Sequence, residues 1–259
     1  MPLLWLLIVL IPTKTEAASK DRLSLYDDPL QTVMADYKNY YKVKDIVYLG
    51  VAVQFQSIPA NTNFDSYFQD SYQTQLRNTK TNDVADVAKL FGEHKYMIPI
   101  SALTSMARLI NEDSRIGKWG EYTVRSYAVG FPPFYFLQHA TGGSRPDERS
   151  FASHWRPFKD NNGVSGHSFI GAVPFLVIAR QADNHPTIKY LAYTASFATA
   201  WSRINDNKHF FSQAMLGWYM GWEAVNAVFR SQDNNASNKA QLKLFPYKNG
   251  AGMSARLKF

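Results

Sequence analysis

The chain of 259 residues contains no cysteine. Disulfide bonds are therefore excluded, and the fold must be stabilised by packing. Histidine pairs four residues apart and clusters of aspartate are also missing, and these are spacings that commonly hold metal ions. The sequence therefore predicts a protein without metal or cofactor.

Beyond its first residues the chain has no run of about 20 residues free of charged or strongly polar groups, as a membrane-spanning helix requires. One apolar candidate, YTVRSYAVGFPPFYFLQHA, contains Arg125 and two prolines. The start, MPLLWLLIVLIPTKTEAAS, has nine apolar residues at 3–11 and small residues at 17–19. Although no positive charge precedes the apolar run, the pattern is typical of a secretory signal peptide, residues 1–17. We expect an exported protein, periplasmic or secreted, with an association with the outer membrane left open.

Acidic residues are the minority among the charges: 28 Lys and Arg against 21 Asp and Glu give a net charge of +7. A basic surface suits anionic partners such as phosphate esters and acidic lipid head groups, although it can also serve solubility alone. No nucleic-acid-binding motif occurs, and no stripe of cations alternates with aromatics outside the C-terminal tail. Nucleic acid is therefore not expected as a partner.

The tail KAQLKLFPYKNGAGMSARLKF carries five cations and no acid. Asn249-Gly250 lies between two short alternating runs, and this arrangement predicts a β-hairpin. The alternative is that the basic C-terminal segment contacts a membrane surface.

Core-forming residues are abundant, with 17 Phe, 15 Tyr and 6 Trp, which excludes a disordered chain. Apolar residues recur at intervals of three and four, as at Val84, Val87, Ala88 and Phe91, and this spacing predicts helices. We predict one domain, residues 18–259, folded as an all-α bundle with the short C-terminal hairpin. The predicted helices cover 45–56, 64–77, 82–92, 96–111, 122–139, 166–181, 186–204 and 207–229, and the segment up to about residue 44 is predicted to be irregular.

A long polar loop, ATGGSRPDERSFASHWRPFKDNNG at 140–163, separates two predicted helices. Loops of this length are uncommon in a compact domain and are usually functional. The loop contains Arg145-Pro146, in which a rigid guanidinium suits phosphate oxygens and the proline restricts its position. A solvated arginine is the plain alternative. His154 in the same loop is either at the mouth of a site or structural.

The loop runs directly into Ser165-Gly166-His167. A helix that begins here points its unpaired amides and the positive end of its dipole at the loop, which suits an anion. Gly166 lets a phosphate oxygen approach the backbone, and the Ser165 hydroxyl can add a hydrogen bond. Taken alone, the pattern more often indicates a serine N-cap followed by a structural histidine.

A second polar break occurs in SRINDNKHFFSQAMLGW at 202–218. His209 and Gln213 are four residues apart, so on a helix they share a face and can form a hydrogen bond. Such a partner fixes the tautomer of an imidazole and directs its other nitrogen. Arg203 adds a cation beside this histidine.

In this order and spacing, the three segments resemble the type 2 phosphatidic acid phosphatase superfamily, which includes lipid phosphatases, bacterial non-specific acid phosphatases and vanadium haloperoxidases. The family pattern is Lys, six residues, Arg-Pro; then Pro-Ser-Gly-His; then Ser-Arg, five residues, His, three residues, Asp. This chain has Gln138, six residues and Arg145-Pro146; then Val164-Ser165-Gly166-His167; then Ser202-Arg203, five residues, His209, three residues and Gln213.

The resemblance implies the family's helical fold and a phosphatase that acts on a phosphomonoester or a lipid phosphate. It implies that His209 is the nucleophile that becomes phosphorylated and that His167 protonates the leaving alcohol. It further implies that the phosphate is bound by Arg145, Ser165, Gly166 and Arg203, with Gln138 at the remaining phosphate-binding position and with no metal.

Three positions depart from the family pattern: Gln138 replaces lysine, Val164 replaces proline and Gln213 replaces aspartate. Gln213 can accept a hydrogen bond from His209, but it cannot supply the negative charge that stabilises an imidazolium. Gln138 removes a cation from the phosphate site. These two departures leave open a relative that binds a phosphate-bearing lipid or glycan without hydrolysing it. A vanadate-dependent haloperoxidase, which uses the same pocket, is the less favoured alternative.

Three basic residues within or beside the loop could replace the missing cation. They are His139, Arg149 and Lys159.

Overall fold

The structure is a computed structural model of the chain, and it describes residues 23–148, 151–237, 240–247 and 250–257, with side chains up to Asn234. The predicted signal peptide, Arg149 and the side chains of the C-terminal tail lie outside the described residues. The α-helices are α1 (Pro29–Tyr40), α2 (Val43–Asn61), α3 (Phe64–Gln75), α4 (Thr79–Ala88), α5 (His94–Ser105), α6 (Ala107–Ile110), α7 (Arg115–Thr141), α8 (Gly166–Gln181), α9 (Pro186–Ser196), α10 (Ala198–Asn205) and α11 (Phe211–Ser237). Two short 3-10 helices cover Lys89–Gly92 and Pro146–Glu148.

The C-terminal end contains two strands, β1 (Ala240–Tyr247) and β2 (Gly250–Leu257). They pair in antiparallel register, with Tyr247 opposite Gly250 and Ala240 opposite Leu257. The helices before them confirm the predicted all-α fold class.

Helix α1 was not predicted, because the residues that it buries are mostly polar. Its buried positions are Thr32, Asp36, Asn39 and Tyr40, so no apolar stripe marks the helix in the sequence. The local start signal is nevertheless present: Pro29 is the first helical residue, and the Asp28 side chain accepts a hydrogen bond from the Gln31 amide at 2.9 Å.

Helix α7 begins earlier than predicted, at Arg115, where the Ser114 side chain caps it. The predicted helices left 112–121 outside any helix, but the glycines of RIGKWGE in this stretch lie inside α7. Gly120 is required by close packing, since a Cβ there would lie 2.5 Å from the Ser101 carbonyl oxygen of α5. The glycine thus allows contact between helices and does not break one.

Helix α8 is the centre of the core. Nearly every residue from Ser168 to Ala179 is buried, and α7, α9, α10 and α11 all pack against it. A helix that is apolar on all sides is stable only when other helices surround it. Its N-terminus at Gly166 emerges from this core, so a rigid element carries the first turn on which His167 lies.

A buried ion-pair network ties α1 to α7. Arg125 donates two hydrogen bonds of 2.8 Å to Asp36, and it also contacts Glu121 at 3.5 Å. Glu121 in turn pairs with Arg108 and accepts from the Leu25 amide at 2.9 Å. The Arg125 side chain has no solvent exposure, so its charge depends entirely on these partners.

Replacing Arg125 with methionine should lower the free energy of unfolding by about 3–5 kcal/mol, because the buried Asp36 carboxylate loses its ion-pair partner and Glu121 keeps only Arg108. Urea unfolding of the full chain measures this change. Lys189→Met is the matched control, since it breaks an exposed pair with Asp183 and should cost much less. Equal losses for the two variants would contradict a structural role for the buried network.

Candidate functional site

The N-terminus of α8 forms the base of the candidate site. Ser165 is the N-cap residue, fully buried, and its hydroxyl accepts a hydrogen bond from the Ser168 amide at 3.3 Å. The Ser165 amide donates to the Gln213 carbonyl at 3.0 Å, which fastens this turn to α11. Gly166 and His167 follow on the first turn, and the free amides and the dipole of a helix N-terminus attract anions.

His209 and Gln213 are in contact as predicted, but α11 begins at Phe211 and not at the predicted residue 207, so His209 lies just before the helix and Gln213 on its first turn. The distance from His209 Nδ1 to Gln213 Oε1 is 3.0 Å. His209 is 4% exposed and Gln213 is fully buried. The imidazole is therefore held by its neighbour and not by solvent.

The orientation of the Gln213 amide fixes the tautomer of His209. The Nε2 of Gln213 donates to the Ser144 carbonyl at 2.8 Å, and its Oε1 accepts from the Phe210 amide at 3.2 Å. The oxygen therefore faces His209, and because a carbonyl oxygen only accepts, Nδ1 must carry the proton. The Nε2 atom is left with its lone pair, which a nucleophile needs.

Burial keeps His209 neutral. It lowers the pKa of His209 to about 3, with the hydrogen bond to Gln213 opposing this shift and the charges of Arg145, His167 and Arg203 adding to it. Residues from all three sequence segments therefore act on the same imidazole. The structure brings together the candidates that the sequence places up to 64 positions apart, from Arg145 to His209.

Both arginines are held in place by neighbouring polar groups. Arg203 is 7% exposed and pairs with Asp206, and burial lowers the pKa of Arg203. Arg145 is half-exposed, and its Nε donates to Asn162 Oδ1 at 2.8 Å. One guanidinium is thus enclosed, while the other lies on the loop with surface still free for a ligand.

Gln138 lies at the site but does not replace the family's lysine. Its Nε2 donates to the Val164 carbonyl at 3.1 Å, so the amide supports the turn that precedes Ser165. Of the three candidate replacements, the His139 ring contacts the Tyr135 carbonyl at 2.9 Å, and Lys159 is exposed. Neither shows a contact with the groups around His209.

His167 has an acidic neighbour that the sequence did not suggest. Its Nε2 lies 3.4 Å from Oε1 of Glu93, and its side chain is 35% exposed. Burial lowers the pKa of His167, and the charges of Arg203 and Arg145 lower it further, while Glu93 opposes them. The two histidines thus differ in environment: His209 is buried beside the Gln213 amide, and His167 is partly exposed beside the Glu93 carboxylate.

The long loop is ordered around the site by hydrogen bonds within it. Gly142 ends α7 in the left-handed region, at φ 60°, and the loop returns so that the Phe158 amide donates to the His139 carbonyl at 2.9 Å. Asn162 is 5% exposed and holds Arg145, and the Ser144 hydroxyl donates to Asp160 at 2.8 Å. These loop residues were not predicted from the sequence, in which their only signal was the density of Asn and Asp.

A cleft of about 600 Å³ lies beside the loop, between it and α3. Arg145 and His154 both line it, together with Gln69 and Asn207. His154 therefore lies near the candidate site, which agrees with the first of its two predicted positions, at the mouth of a site.

Within the described part of the chain, no group of three or more His, Asp or Glu side chains is arranged to hold a metal ion. The absence of a metal in the reaction remains a prediction.

Residues 126–237 match the model of the PAP2 superfamily. The chain has no significant match among curated protein sequences. Its fold is similar to that of the transmembrane PAP2-type phosphatidylglycerolphosphate phosphatase of Bacillus subtilis, with a TM-score of 0.58 and 17% sequence identity over 73% of this chain and 96% of that one. The family match supports a phosphatase-type activity.

The structural match contradicts the location predicted from the sequence. We expected a periplasmic or secreted protein, but the phosphatase that shares the fold is a transmembrane protein. The prediction relied on the lack of a long apolar run, and that lack does not decide the location for this fold. Among the helices that the structure describes, none combines the length and the apolar character that a membrane crossing requires.

The match covers the Ser165 turn, both histidines and both arginines, which are the residues that the geometry brings together. The match to the PAP2 superfamily model therefore lies on the part of the chain, residues 126–237, that contains the candidate site.

Proposed function

We propose that this protein hydrolyses a phosphate monoester carried by a lipid, through a phosphohistidine formed on His209. The observation that carries the proposal is the neutral His209, whose Nδ1–H donates to Gln213 Oε1 at 3.0 Å beside two arginines and a helix N-terminus. A neutral imidazole with one nitrogen fixed and the other free is the form that attacks phosphorus.

In the first half of the proposed reaction, the His209 Nε2 lone pair attacks phosphorus and the bond to the ester oxygen breaks. His167 gives its proton to the leaving alkoxide. The three remaining phosphoryl oxygens are held by Arg145, Arg203, the Ser165 hydroxyl and the amide of Gly166.

In the second half, the neutral His167 takes a proton from water as the water oxygen attacks the phosphohistidine. The phosphorus–nitrogen bond breaks, phosphate leaves, and His209 returns to its starting form. Each histidine thus ends the cycle in the protonation state in which it began.

Gln213 supports the orientation of His209 but not its charge. The phosphorylated imidazole is cationic, and a neutral amide stabilises it less than the family's aspartate does. The two arginines must then lower the barrier mainly by binding the phosphoryl oxygens. We therefore expect turnover to be slow in the chemical step.

The exposed surface near the site supports a lipid substrate. On α7, the ring of Phe131 is stacked 5.9 Å from that of Tyr135, which lies 4.5 Å from the ring of His139, next to Gln138. Phe131 and Tyr135 are each more than half exposed. An aromatic stripe that leads to the phosphate site suits an acyl chain better than a polar alcohol.

Helix α2 presents a second apolar surface. Its exposed side chains repeat at helical spacing along one face, while the opposite face packs on α11. The members of this face are Val43, Ile46, Val47, Val51, Phe55 and Ile58. Contact of this face with lipid would bring the site to a membrane-bound substrate, as would the membrane contact predicted for the basic C-terminal segment.

A phosphate-binding protein without turnover is the second candidate, and the neutral Gln213 favours it. Phosphate release from phosphatidic acid, phosphatidylglycerol phosphate and a soluble aryl phosphate by the full chain in mixed micelles separates the two. We expect release from all three, with the highest kcat/KM for a lipid. Binding of these lipids with no release at any pH would support the second candidate instead.

The two histidines predict an acid pH optimum for kcat/KM. His209 must be neutral, and with a pKa of about 3 it is neutral above that pH. His167 must be protonated, and its pKa is lowered from the ordinary value near 6.5. Activity should therefore rise through about pH 3 and fall before about pH 6.5.

The pH profile of kcat/KM for short-chain phosphatidic acid tests this expectation. Because the phosphate ester also ionises near pH 6, His167→Asn is the control: the basic limb should disappear in that variant if His167 causes it. An optimum at alkaline pH in the unaltered chain would contradict these protonation states.

A further inference from the structure

Glu93 is held against His167 by the packing of the segment that carries it. Glu93 lies between the 3-10 helix Lys89–Gly92 and the first residue of α5. A Cβ at Gly92 would lie 2.7 Å from the carbonyl oxygen of His167 and 2.9 Å from its Cβ, so only glycine allows this approach. The Thr199 hydroxyl donates to the Ala88 carbonyl at 2.9 Å and fixes the segment from the other side.

The Glu93 carboxylate contacts His167 Nε2 at 3.4 Å and favours the charged form of that imidazole. Arg203 and Arg145 oppose the charged form of His167, and burial opposes it more strongly than either. The exposed Lys95 forms an ion pair with the other oxygen of the same carboxylate, at 4.0 Å. A histidine that acts as a general acid here needs an acidic partner, because burial and the two arginines otherwise favour its deprotonated form.

We propose that Glu93 is the positioning residue of the general acid, on the basis of the function proposed above. Its carboxylate accepts a hydrogen bond from the Nε2–H of His167, so the imidazole keeps one orientation. Nδ1 is then the nitrogen that gives a proton to the leaving oxygen. Glu93 itself does not touch the substrate. The proton that leaves Nδ1 in the first half is regained from water in the second.

The test compares Glu93→Gln with the unaltered full chain on two substrates that differ in leaving group. A p-nitrophenolate leaves without protonation, whereas an alkoxide needs an acid. For an alkyl phosphate we expect kcat/KM to fall about 10- to 100-fold, within the range that general acid catalysis supplies, and for p-nitrophenyl phosphate less than about 3-fold. The basic limb of the alkyl phosphate profile should move to lower pH.

Asp86→Asn is the matched control, because it removes an exposed carboxylate seven positions earlier that pairs only with Lys89 among the described contacts. It should change neither substrate's kinetics. Equal losses on both substrates in Glu93→Gln, with an unmoved basic limb, would mean that Glu93 is merely structural and would overturn the inference.

The titration of His167 by NMR gives a readout that does not depend on activity, with His167→Asn used to assign the signal. The pKa of His167 should be lower in Glu93→Gln than in the unaltered chain. If the chain releases no phosphate but this shift is present, the proposed function fails, while the effect of Glu93 on the protonation of His167 is supported. If the chain is active and the titration is the same in both proteins, only the Glu93 inference fails.

Discussion

Replacing His209 with asparagine should reduce phosphate release by the full chain by on the order of 10⁴-fold or more, since loss of a covalent nucleophile removes the main reaction path. Asparagine is polar and close in size, and the site around it is built by residues that do not depend on the imidazole. Binding of inorganic phosphate should therefore persist, because Arg145, Arg203 and the turn at Ser165 remain.

His185→Asn is the matched control for this variant. His185 is the N-cap residue of α9, distant in the fold from the site, and asparagine is itself a good N-cap. Its activity should equal that of the unaltered chain. Full activity in His209→Asn would exclude His209 as the nucleophile.

The second large effect is expected at Gln213. Replacement by leucine keeps the volume but removes the acceptor for His209 Nδ1, so the imidazole can adopt the wrong tautomer. Loss of tautomer control in a comparable triad costs about 10⁴-fold; we expect about 10²- to 10³-fold in kcat with little change in KM, because the starting partner is neutral.

Gln213→Glu separates this catalytic role from a structural one. The carboxylate can accept the same hydrogen bond from Nδ1–H, and its negative charge raises the pKa of His209. This variant should retain more activity than Gln213→Leu, and its acid limb should lie at higher pH than that of the unaltered chain. Equal activity in the leucine variant and the unaltered chain would show that Gln213 does not orient His209.

The parts of the site that depend on local spacing were predictable from the sequence. His209 and Gln213 are four residues apart, and this short separation indicated their contact, although His209 precedes α11 and does not share a helical face with Gln213. Ser165 and Gly166 follow a polar loop and precede an apolar run, which marks a helix start. The fold class was predictable for the same reason, since most helices show a regular apolar pattern.

The parts that depend on distant contacts were not predictable. Glu93 and His167 are 74 positions apart, and nothing in the sequence near either residue indicates the other. Helix α1 was missed because most residues that it buries are polar, among them Asp36, which pairs with Arg125, so its sequence has no regular apolar spacing. The location was predicted wrongly because it rested on the lack of a long apolar run and on a short apolar start.

Trapping the phosphorylated protein tests the central claim most directly. The full chain is mixed with a substrate labelled with ³²P at the phosphate, and the reaction is stopped within the first turnover by alkali, in which phosphohistidine is stable. Label that is stable to alkali, lost in acid, located on His209 by mass spectrometry and absent from His209→Asn is the predicted result. Sustained release of phosphate by the unaltered chain with no label on His209 would contradict the mechanism.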